Sequence, residues 1–346
     1  MRAILMESRG GPEVLRYGEI EPPRAGAGQV AVQVRAVALN HLDVWVRKGT
    51  ASPKLSLPHI LGCDIAGVVL EVGPGVEHLQ PGEAVVVNPG ISCGRCERCL
   101  SGQDNLCPHY QILGEHRWGG YAEVVVVPQA NVLPMPPRLG FVEAASIPLT
   151  FLTAWQMVVD KLQVRPGEDV LVMAAGSGVS VAAIQIAKLH GARVIATASS
   201  EAKLEAARAL GADEGVNYRE AGWSKRVREL TGGKGADAVV DHTGAEFWQE
   251  VLRSTAWGGR IAVAGASSGY EALTPMAHIF YRQLSIYGST MASKSRLFPI
   301  LRFVCEGKLK PVVGEVLPLE QAAEGHRRLE ERKVFGKVVL TVEPRA

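Results

Sequence analysis

Asp169-Val-Leu-Val-Met-Ala-Ala-Gly-Ser-Gly-Val-Ser-Val-Ala-Ala-Ile-Gln185 is the stretch of sequence that decides the fold. A short apolar run of the kind found in buried strands leads into a turn with two glycines, and small residues then begin a helix. This order points the amino terminus of a helix at a bound pyrophosphate. Ser180 replaces the third glycine of the usual fingerprint, so an ordinary strand-to-helix turn is the alternative. We predict a dinucleotide-binding turn at this point of an α/β domain.

The end of the next predicted strand indicates which dinucleotide binds. Sites specific for NAD place an acidic residue there to bind the ribose hydroxyls, whereas this chain has Thr197-Ala-Ser-Ser200. Ser199, Ser200 and Lys203 offer hydroxyl groups and a cation to a 2′-phosphate, so the sequence favours NADP(H) over NAD(H). The alternative is that Ser200 only caps its helix and Lys203 is only solvated. The predicted coenzyme residues are Gly176, Ser177, Gly178, Val179, Ser199, Ser200, Lys203, Tyr218 and Gly265.

Two kinds of sequence pattern divide the chain. Up to about residue 150, short β-branched runs broken by Gly and Pro indicate a β-rich domain. From there, apolar runs at 169–174, 193–197, 238–241, 260–264 and 284–287 alternate with helical segments, which predicts a doubly wound parallel sheet. One helix is well marked, with Ser200 at its N-cap and Gly211 after its end. We predict domains at 1–150 and 151–288, with 289–346 returning to the first.

Four of the six cysteines lie within fifteen positions, at Cys93, Cys96, Cys99 and Cys107. Cys-x-x-Cys steps let a tight loop bring thiolates around one tetrahedral zinc ion. The alternative of buried or redox-active thiols is disfavoured, because clustered free thiols oxidise or are costly to desolvate. Four protein ligands leave no open position, so the sequence predicts one structural zinc per chain.

Composition restricts the class of protein and the kind of ligand. The net charge is +2, and Lys and Arg are scattered among Asp and Glu, so we expect no binding to nucleic acid or to a membrane. The start of the sequence, MRAILMESRGG, reaches acidic and Gly-rich residues before an apolar segment as long as that of a secretory signal could form, so we expect no such signal. We expect a cytoplasmic protein that acts on a small molecule.

The chain resembles the medium-chain dehydrogenase/reductase superfamily, the zinc alcohol dehydrogenases and quinone oxidoreductases, along essentially its whole length. The resemblance rests on the cysteine segment and on Gly62-Cys-Asp-Ile-Ala-Gly67, Gly119-Gly-Tyr-Ala-Glu123, Gly211-Ala-Asp213 and Gly336-Lys-Val338. It implies a GroES-like catalytic domain that carries the structural zinc at 93–107, a Rossmann-fold domain, and an active cleft between them. It also implies a homodimer or homotetramer that pairs near strands 260–264 and 284–287.

The same resemblance locates the ligands of a second, catalytic zinc in alcohol dehydrogenases, and here the matching positions are altered. They read Asn40-His-Leu-Asp43, Gly62-Cys-Asp64 and Pro148-Leu-Thr150. Asn40 is a poor zinc ligand and Leu149 cannot coordinate a metal, so only Cys63 and Asp64 remain as donors, with His41 or His59 nearby. Asn40, Asp43 and Asp64 instead resemble the zinc-independent quinone oxidoreductases.

Three functions follow as hypotheses. The first is reduction of a quinone, enone or other activated carbonyl compound by hydride transfer, with Asn40, His41, Asp43, Cys63 and Asp64 as catalytic candidates. The second is a zinc-dependent alcohol dehydrogenase with an atypical metal site at Cys63 and Asp64. The third, from another class, is an NADPH-binding protein without turnover.

Overall fold

The computed structural model describes residues 1–343, whose contacts divide into two compact units. Within the described residues, unit 1 consists of Met1–Leu149, Ser293–Glu306 and 311–343, and unit 2 consists of Thr150–Ala292 and Gly307–Lys310. The strands are β1 (Arg2–Met6), β2 (Leu15–Glu19), β3 (Gln29–Ala38), β4 (Asp64–Val72), β5 (Ala84–Val87), β6 (Gly90–Ile91), β7 (Gln111–Ile112), β8 (Val124–Pro128), β9 (Val132–Pro134), β10 (Asp169–Val172), β11 (Arg193–Ala198), β12 (Glu214–Asn217), β13 (Ala236–Asp241), β14 (Thr255–Val263), β15 (Ser285–Gly288), β16 (Val313–Pro318) and β17 (Lys337–Thr341).

The helices lie between these strands. They are α1 (His41–Lys48), α2 (Glu97–Leu100), α3 (Phe141–Ala145), α4 (Pro148–Trp155), α5 (Gly178–Leu189), α6 (Glu201–Ala209), α7 (Trp223–Leu230), α8 (Trp248–Ser254), α9 (Met276–Phe280), α10 (Leu297–Cys305) and α11 (Ala322–Glu330). The π-helical turn Gln156–Lys161 continues α4. No helix within residues 1–343 combines the length and the apolar character that a membrane span requires.

Unit 2 is a doubly wound α/β fold, which confirms the predicted fold class. Its strands are parallel and run in the order β12-β11-β10-β13-β14-β15. The order reverses direction between β10 and β13, and this is where such sheets bind ligands, beyond the carboxyl ends of the strands. β10 is buried on both faces, so its continuous apolar run is what a central parallel strand requires.

Unit 1 contains the predicted β-rich, GroES-like fold. Its main sheet follows the order β16-β17-β3-β4-β5-β9, and β8 also pairs with β3. The pairs of β3 with β17, β4 and β8 are antiparallel. In this register Ala38 lies opposite both Val339 and Asp64, so the end of β3 and the starts of β4 and β17 come together. That junction is where the altered zinc positions meet.

One strand differs clearly from its sequence prediction. β14 begins at Thr255 and includes Gly258 and Gly259, whereas the apolar run predicted a start at residue 260. Gly258 has φ of +69°, and the pairing with β13 shifts register between Ala236 and Ala238. The strand therefore continues through an irregularity that glycine allows, and the sequence pattern treats the same glycines as a break.

Candidate active site and metal centre

The four clustered cysteines form a site that fits one tetrahedral zinc. Their Sγ atoms all lie within 4.8 Å of one another. The Sγ of Cys96 is 3.5 Å from that of Cys99 and 3.8 Å from that of Cys107, and Cys93 is 3.9 Å from Cys99. Four arms of about 2.3 Å in a tetrahedron place neighbouring sulfurs about 3.8 Å apart, so the donor set is already arranged for the metal.

Backbone geometry prepares these sulfurs for a cation. Gly94 and Gly102 turn the loop with positive φ of +72° and +76°, and α2 begins directly after Cys96. Backbone N–H groups of Arg95 and Cys96 lower the pKa of Cys93 to about 6, which favours its thiolate. Although the backbone N–H of Cys99 lowers the pKa of Cys96, burial and the neighbouring thiols raise it to about 11. Within residues 1–343 this is the one group of three or more His, Cys, Asp or Glu side chains with ligand atoms at metal-binding distances.

Asp104 ties the zinc loop to a distant part of unit 1, a contact that the sequence did not predict. Its Oδ1 accepts from the hydroxyl of Ser293 at 2.6 Å and from the backbone N–H of Lys294 at 3.0 Å. Its Oδ2 accepts from Nζ of Lys294 at 3.0 Å. Burial opposes ionisation of Asp104, but these donors outweigh it and hold the pKa of the carboxyl below its usual value.

Asn40, Cys63, Asp64 and Lys337 form a second polar group, which we name the Asn40 cluster. Nδ2 of Asn40 donates to Oδ2 of Asp64 at 2.9 Å and lies 3.4 Å from Sγ of Cys63. Nζ of Lys337 donates to Oδ1 of Asn40 at 2.5 Å and to Oδ2 of Asp64 at 3.1 Å. Lys337 is 5% exposed, while Cys63 and Asp64 are fully buried.

Both oxygens of Asp64 are therefore in use. Oδ1 accepts from the backbone N–H of Leu149 at 2.7 Å, and Oδ2 receives the amide of Asn40 and the ammonium of Lys337. A buried carboxylate of this kind needs a paired charge, and Lys337 supplies it. Burial, with the nearby carboxylates of Asp64 and Asp43, raises the pKa of Cys63 well above its usual value.

Asp43 holds the backbone around this cluster. Its Oδ2 accepts from the N–H of Asn40 at 2.7 Å and its Oδ1 from the N–H of Gly62 at 3.0 Å. Burial raises its pKa to about 6, against the opposing effect of those two donors. Gly62 has φ of +94°, and a Cβ there would lie 2.3 Å from the ring of Tyr121, so only glycine fits beneath the tyrosine.

A chain of hydrogen bonds continues from this region towards solvent. Nη1 of the buried Arg47 lies 3.1 Å from Nδ1 of His326, whose Nε2 lies 3.2 Å from the hydroxyl of Tyr121. Because a guanidinium only donates, Nδ1 of His326 accepts and Nε2 carries the proton. Burial and the adjacent Arg47 lower the pKa of His326 to about 3, so the ring is neutral. Arg47 also pairs with Glu330 at 2.7 Å.

The two histidines named with Cys63 lie in different surroundings. His41 is the first residue of α1 and is half-buried, with its ring centroid 6.4 Å from that of Trp45. His59 is buried, and its Nε2 lies 3.1 Å from the carbonyl oxygen of Gly114. Burial lowers the pKa of His59. Neither histidine forms a metal-binding group with Cys63 and Asp64 in the described chain.

The predicted coenzyme turn in unit 2 has the expected strand-turn-helix form. β10 leads into Ala174, which has positive φ of +51°, and α5 begins after Ser177. The hydroxyl of Ser177 accepts from the backbone N–H of Ser180 at 3.1 Å and so caps the helix. The first N–H groups of any helix have no partner within it, which suits an anionic ligand. The residues present therefore fit a dinucleotide pyrophosphate.

The other predicted coenzyme residues lie in the same unit. Ala198 ends β11 and is buried, Ser199 is half-buried, and Ser200 occupies the N-cap of α6 without a side-chain capping bond. The side chain of Lys203 passes the turn, since a Cβ on Gly176 would lie 3.2 Å from its Cδ. Tyr218 packs on Phe247 with ring centroids 4.8 Å apart. Gly265 follows β14 and is half-buried.

Two residues that interact with the candidate sites were missed by sequence reasoning. Lys337 begins β17, 273 positions after its partner Asp64, and its Gly-Lys-Val context gave only a family resemblance. His242 lies beside the coenzyme turn, with Nε2 within 2.9 Å of the hydroxyls of Ser177 and Ser180. A lone histidine after a strand carries no signal of such a contact.

Comparison with known proteins identifies the families to which this chain is similar. The model of the alcohol dehydrogenase GroES-like domain matches residues 26–137, and that of the zinc-binding dehydrogenase matches residues 178–306. An NAD-dependent alcohol dehydrogenase of Sulfolobus acidocaldarius is 32% identical over 99% of this chain and 100% of its own. A quinone oxidoreductase of Rattus norvegicus is 30% identical over 98% of this chain and 97% of its own.

A solved structure is more similar still. The crystal structure of an NAD-dependent alcohol dehydrogenase has 73% sequence identity and a TM-score of 0.97, covering 99% of this chain and all of that one. These matches cover both units, and they include members of both families that the sequence resembles. The chain belongs to the medium-chain dehydrogenase/reductase superfamily, the nicotinamide-dependent oxidoreductases that include the zinc-binding alcohol dehydrogenases and the quinone oxidoreductases.

Proposed function

We propose that the protein transfers hydride from NADPH to a quinone, an enone or another activated carbonyl compound, with one structural zinc and without a catalytic metal. The observation that carries this proposal is the Asn40 cluster. At the positions that hold catalytic zinc in alcohol dehydrogenases, the carboxylate of Asp64 is paired with the ammonium of Lys337. A divalent cation there would have to displace that buried ammonium, and Asn40 and Leu149 offer it no good ligand.

The reaction class follows from where charge develops. Bound nicotinamide supplies the hydride, and a simple ketone or aldehyde then concentrates negative charge on one oxygen, which a metal would normally stabilise. A quinone or enone spreads the charge over a conjugated system, so a few hydrogen-bond donors suffice. Asn40 has one amide hydrogen bound to Asp64 and another in contacts of 3.4 Å with Cys63 and Ala38. That second hydrogen and the half-buried His41 are the proposed donors.

The coenzyme is proposed to be NADP(H). Ala198 ends β11 where NAD-specific sites have a carboxylate, so nothing at this position repels a 2′-phosphate. Ser199, Ser200 and Lys203 follow directly, and the side chain of Lys203 lies next to Gly176 of the coenzyme turn. The similar proteins named as NAD-dependent alcohol dehydrogenases give the opposite expectation.

The substitution Ala198→Asp tests this coenzyme preference. It places a carboxylate beside the proposed 2′-phosphate, and like charges this close cost several kcal/mol, so the ratio of kcat/KM for NADPH to that for NADH should fall at least about tenfold. Ala198→Asn is the matched uncharged control and should change the ratio much less. A ratio that is unchanged by Asp, or a wild-type preference for NADH, contradicts the proposed coenzyme.

The four-cysteine zinc is proposed to be structural, and the chain is proposed to form a homodimer or homotetramer. Four thiolates complete the coordination of zinc and leave no position for substrate. β15 is the outer strand of the parallel sheet, next to β14. Ile286 on β15, Trp257 on β14 and Tyr281, whose ring packs against that of Trp257, are exposed apolar side chains. An open strand edge with exposed apolar side chains is a surface for pairing with a second copy.

Zinc content and a substrate panel test the main proposal. We expect one zinc per chain in the purified protein and NADPH oxidation with quinones or enones that exceeds the activity with simple aldehydes. Two zincs per chain, or activity restricted to alcohols and simple aldehydes, contradicts the proposal. Tight NADPH binding without turnover on any member of the panel would favour the binding protein instead.

A second candidate is a zinc-dependent alcohol dehydrogenase with an atypical metal at Cys63 and Asp64. The names of the similar proteins favour it. It requires Cys63 as a ligand, so Cys63→Ala should remove one zinc and the activity together. One zinc per chain with full activity retained in Cys63→Ala excludes this candidate.

A further inference from the structure

Ser177, Ser180 and His242 form a closed group at the start of α5, which we name the serine–histidine triangle. Nε2 of His242 is 2.9 Å from Oγ of Ser177 and 2.8 Å from Oγ of Ser180, and the two hydroxyl oxygens are 3.0 Å apart. Ser180 is fully buried, whereas Ser177 and the ring of His242 are half-buried. The triangle joins the coenzyme turn to the end of β13.

The positions of the protons follow from the acceptors. Oγ of Ser180 lies 2.5 Å from the carbonyl oxygen of Met173, which only accepts, so the hydroxyl proton of Ser180 points there. Oγ of Ser180 must then accept from its other neighbours. Nε2 of His242 therefore carries a proton and donates it into the triangle, and the hydroxyl of Ser177 donates its proton to Ser180.

The backbone fixes His242 in this place. Asp241, the last residue of β13, accepts from the backbone N–H of Thr243 at 2.8 Å and from its hydroxyl at 2.6 Å. The two hydrogen bonds close a tight turn around His242. Desolvation lowers the pKa of His242, so one ring nitrogen donates and the other accepts at neutral pH.

We propose that His242 is a positioning residue for the coenzyme, because its Nε2–H remains as a donor to Ser180 when Ser177 turns its hydroxyl proton towards the pyrophosphate. This inference rests on the proposed function, which takes the start of α5 as the pyrophosphate site. Nε2 is almost equally distant from both hydroxyl oxygens, so it serves either one without a movement of the ring. Without His242, the buried oxygen of Ser180 would keep its bond to Met173 but would have no side-chain donor, which would weaken binding.

The serine–histidine triangle also explains how the coenzyme turn accommodates a buried serine. A glycine would bring no polar group, whereas Ser180 brings a buried hydroxyl that needs partners. His242 and Met173 supply them. In return, the hydroxyl of Ser177 becomes an extra donor that a phosphate oxygen accepts.

The proposal is tested by measuring how strongly each of two ligands displaces NADPH from the protein, with NADPH fluorescence as the signal. ADP-ribose carries the pyrophosphate and adenosine does not. We expect His242→Leu to weaken ADP-ribose binding about tenfold, the size of one hydrogen bond to a charged group, and to change adenosine binding less than about twofold. His242→Gln keeps an N–H donor and should restore most of the affinity. His190→Leu, at the opposite end of α5, is the control and should change neither.

A second arm separates positioning from general stability. In the double variant Ser177→Gly and Ser180→Gly the hydroxyls are absent, so His242→Leu should there change ADP-ribose binding less than about twofold. Equal losses for ADP-ribose and adenosine, no recovery with Gln, or the same loss in the glycine background would overturn the inference. If the wild type binds neither NADPH nor NADH, the proposed function fails; if it binds them and His242→Leu is neutral, the inference alone fails.

Discussion

The four-cysteine site and the Asn40 cluster belong to the same unit, but their negative charges are balanced in different ways. In the first, four sulfurs lie at distances that one zinc ion requires, and the donors come from fifteen consecutive positions. In the second, the cation is a lysine side chain that arrives from β17 and occupies the carboxylate of Asp64. The comparison teaches that similarity to zinc-binding proteins identifies positions where a zinc ion could bind. The charges that are already paired at each position then decide whether a cation is needed there.

The largest expected effect is on the cysteine side of this comparison. Cys96→Ser removes one of four thiolates, and structural zinc binding is worth about 10 kcal/mol or more, so we expect loss of zinc and a large fall in melting temperature. Zinc analysis and thermal unfolding measure both. Cys305→Ser is the control, because Cys305 is exposed and lies outside the site. Retained zinc with unchanged melting in Cys96→Ser would refute the structural role.

A smaller but still large effect is expected from Lys337→Met. The change leaves the fully buried Asp64 without its paired charge, and breaking such a pair costs about 3–5 kcal/mol. Denaturant unfolding measures the loss. Lys48→Met is the matched control, since Lys48 is half exposed in its pair with Glu330 and should cost under about 1 kcal/mol. If zinc replaced the lysine charge in the variant, the metal content would rise to two per chain.

The third prediction concerns Asp43 and pH. Its pKa is about 6 in the folded protein, above the ordinary value of 3.8, so folding binds its proton more tightly. At pH 7 the ionised carboxyl therefore lowers the free energy of unfolding. As the pH falls through 6 towards 4 the carboxyl takes up a proton, and the free energy of unfolding rises by up to about 3 kcal/mol. Asp43→Asn lacks this relief.

Unfolding of wild type and Asp43→Asn between pH 4 and 7 provides the measurement. At pH 7 the variant should be about 1–3 kcal/mol less stable, because an amide cannot accept from both Asn40 and Gly62. The gap should widen as the pH falls. A gap that stays constant would mean that burial does not raise the pKa of Asp43, and a gap that narrows would mean that its pKa is lowered; either outcome contradicts the prediction.

The smallest effect is expected from Cys63→Ala. The thiol is neutral and makes one long contact, at 3.4 Å from Asn40, so its loss should cost about 1 kcal/mol. Zinc content and NADPH oxidation should stay as in the wild type. A drop in zinc content would erase the difference between the two clusters, because both would then be metal sites.

The parts of these sites that were predictable are those encoded by neighbours in sequence. The spacing of Cys93, Cys96, Cys99 and Cys107 fixes a loop, and the run from Asp169 fixes a strand, a turn and a helix. The family resemblance brought Asn40 and Asp64 together, and the structure has them 2.9 Å apart. Lys337 was not predictable as a partner, because only the register of β17 on β3 brings it there.

Sequence patterns within single segments were only partly correct. Ser200 was predicted as the N-cap of α6 and occupies that position, but its side chain makes no capping bond. Ser177 caps α5 although its neighbours are glycines. Gly258 and Gly259 indicated a break, yet pairing with β13 carries β14 through them. For β14 the partner lies on another element, which a pattern along one segment cannot contain, whereas the cap of α5 is made within the first turn of the same helix.

The bond from Asp104 to Ser293 has a consequence for how the chain folds. It joins residues 189 positions apart, and nearly the whole of unit 2 lies in the loop that it closes. During synthesis the loop of the four cysteines is complete long before Ser293 leaves the ribosome. The hydrogen bond from Ser293 to Asp104 therefore cannot form until the intervening unit has been synthesised. The contacts of unit 1 are therefore completed only after the chain of unit 2 has been made, although unit 1 begins first.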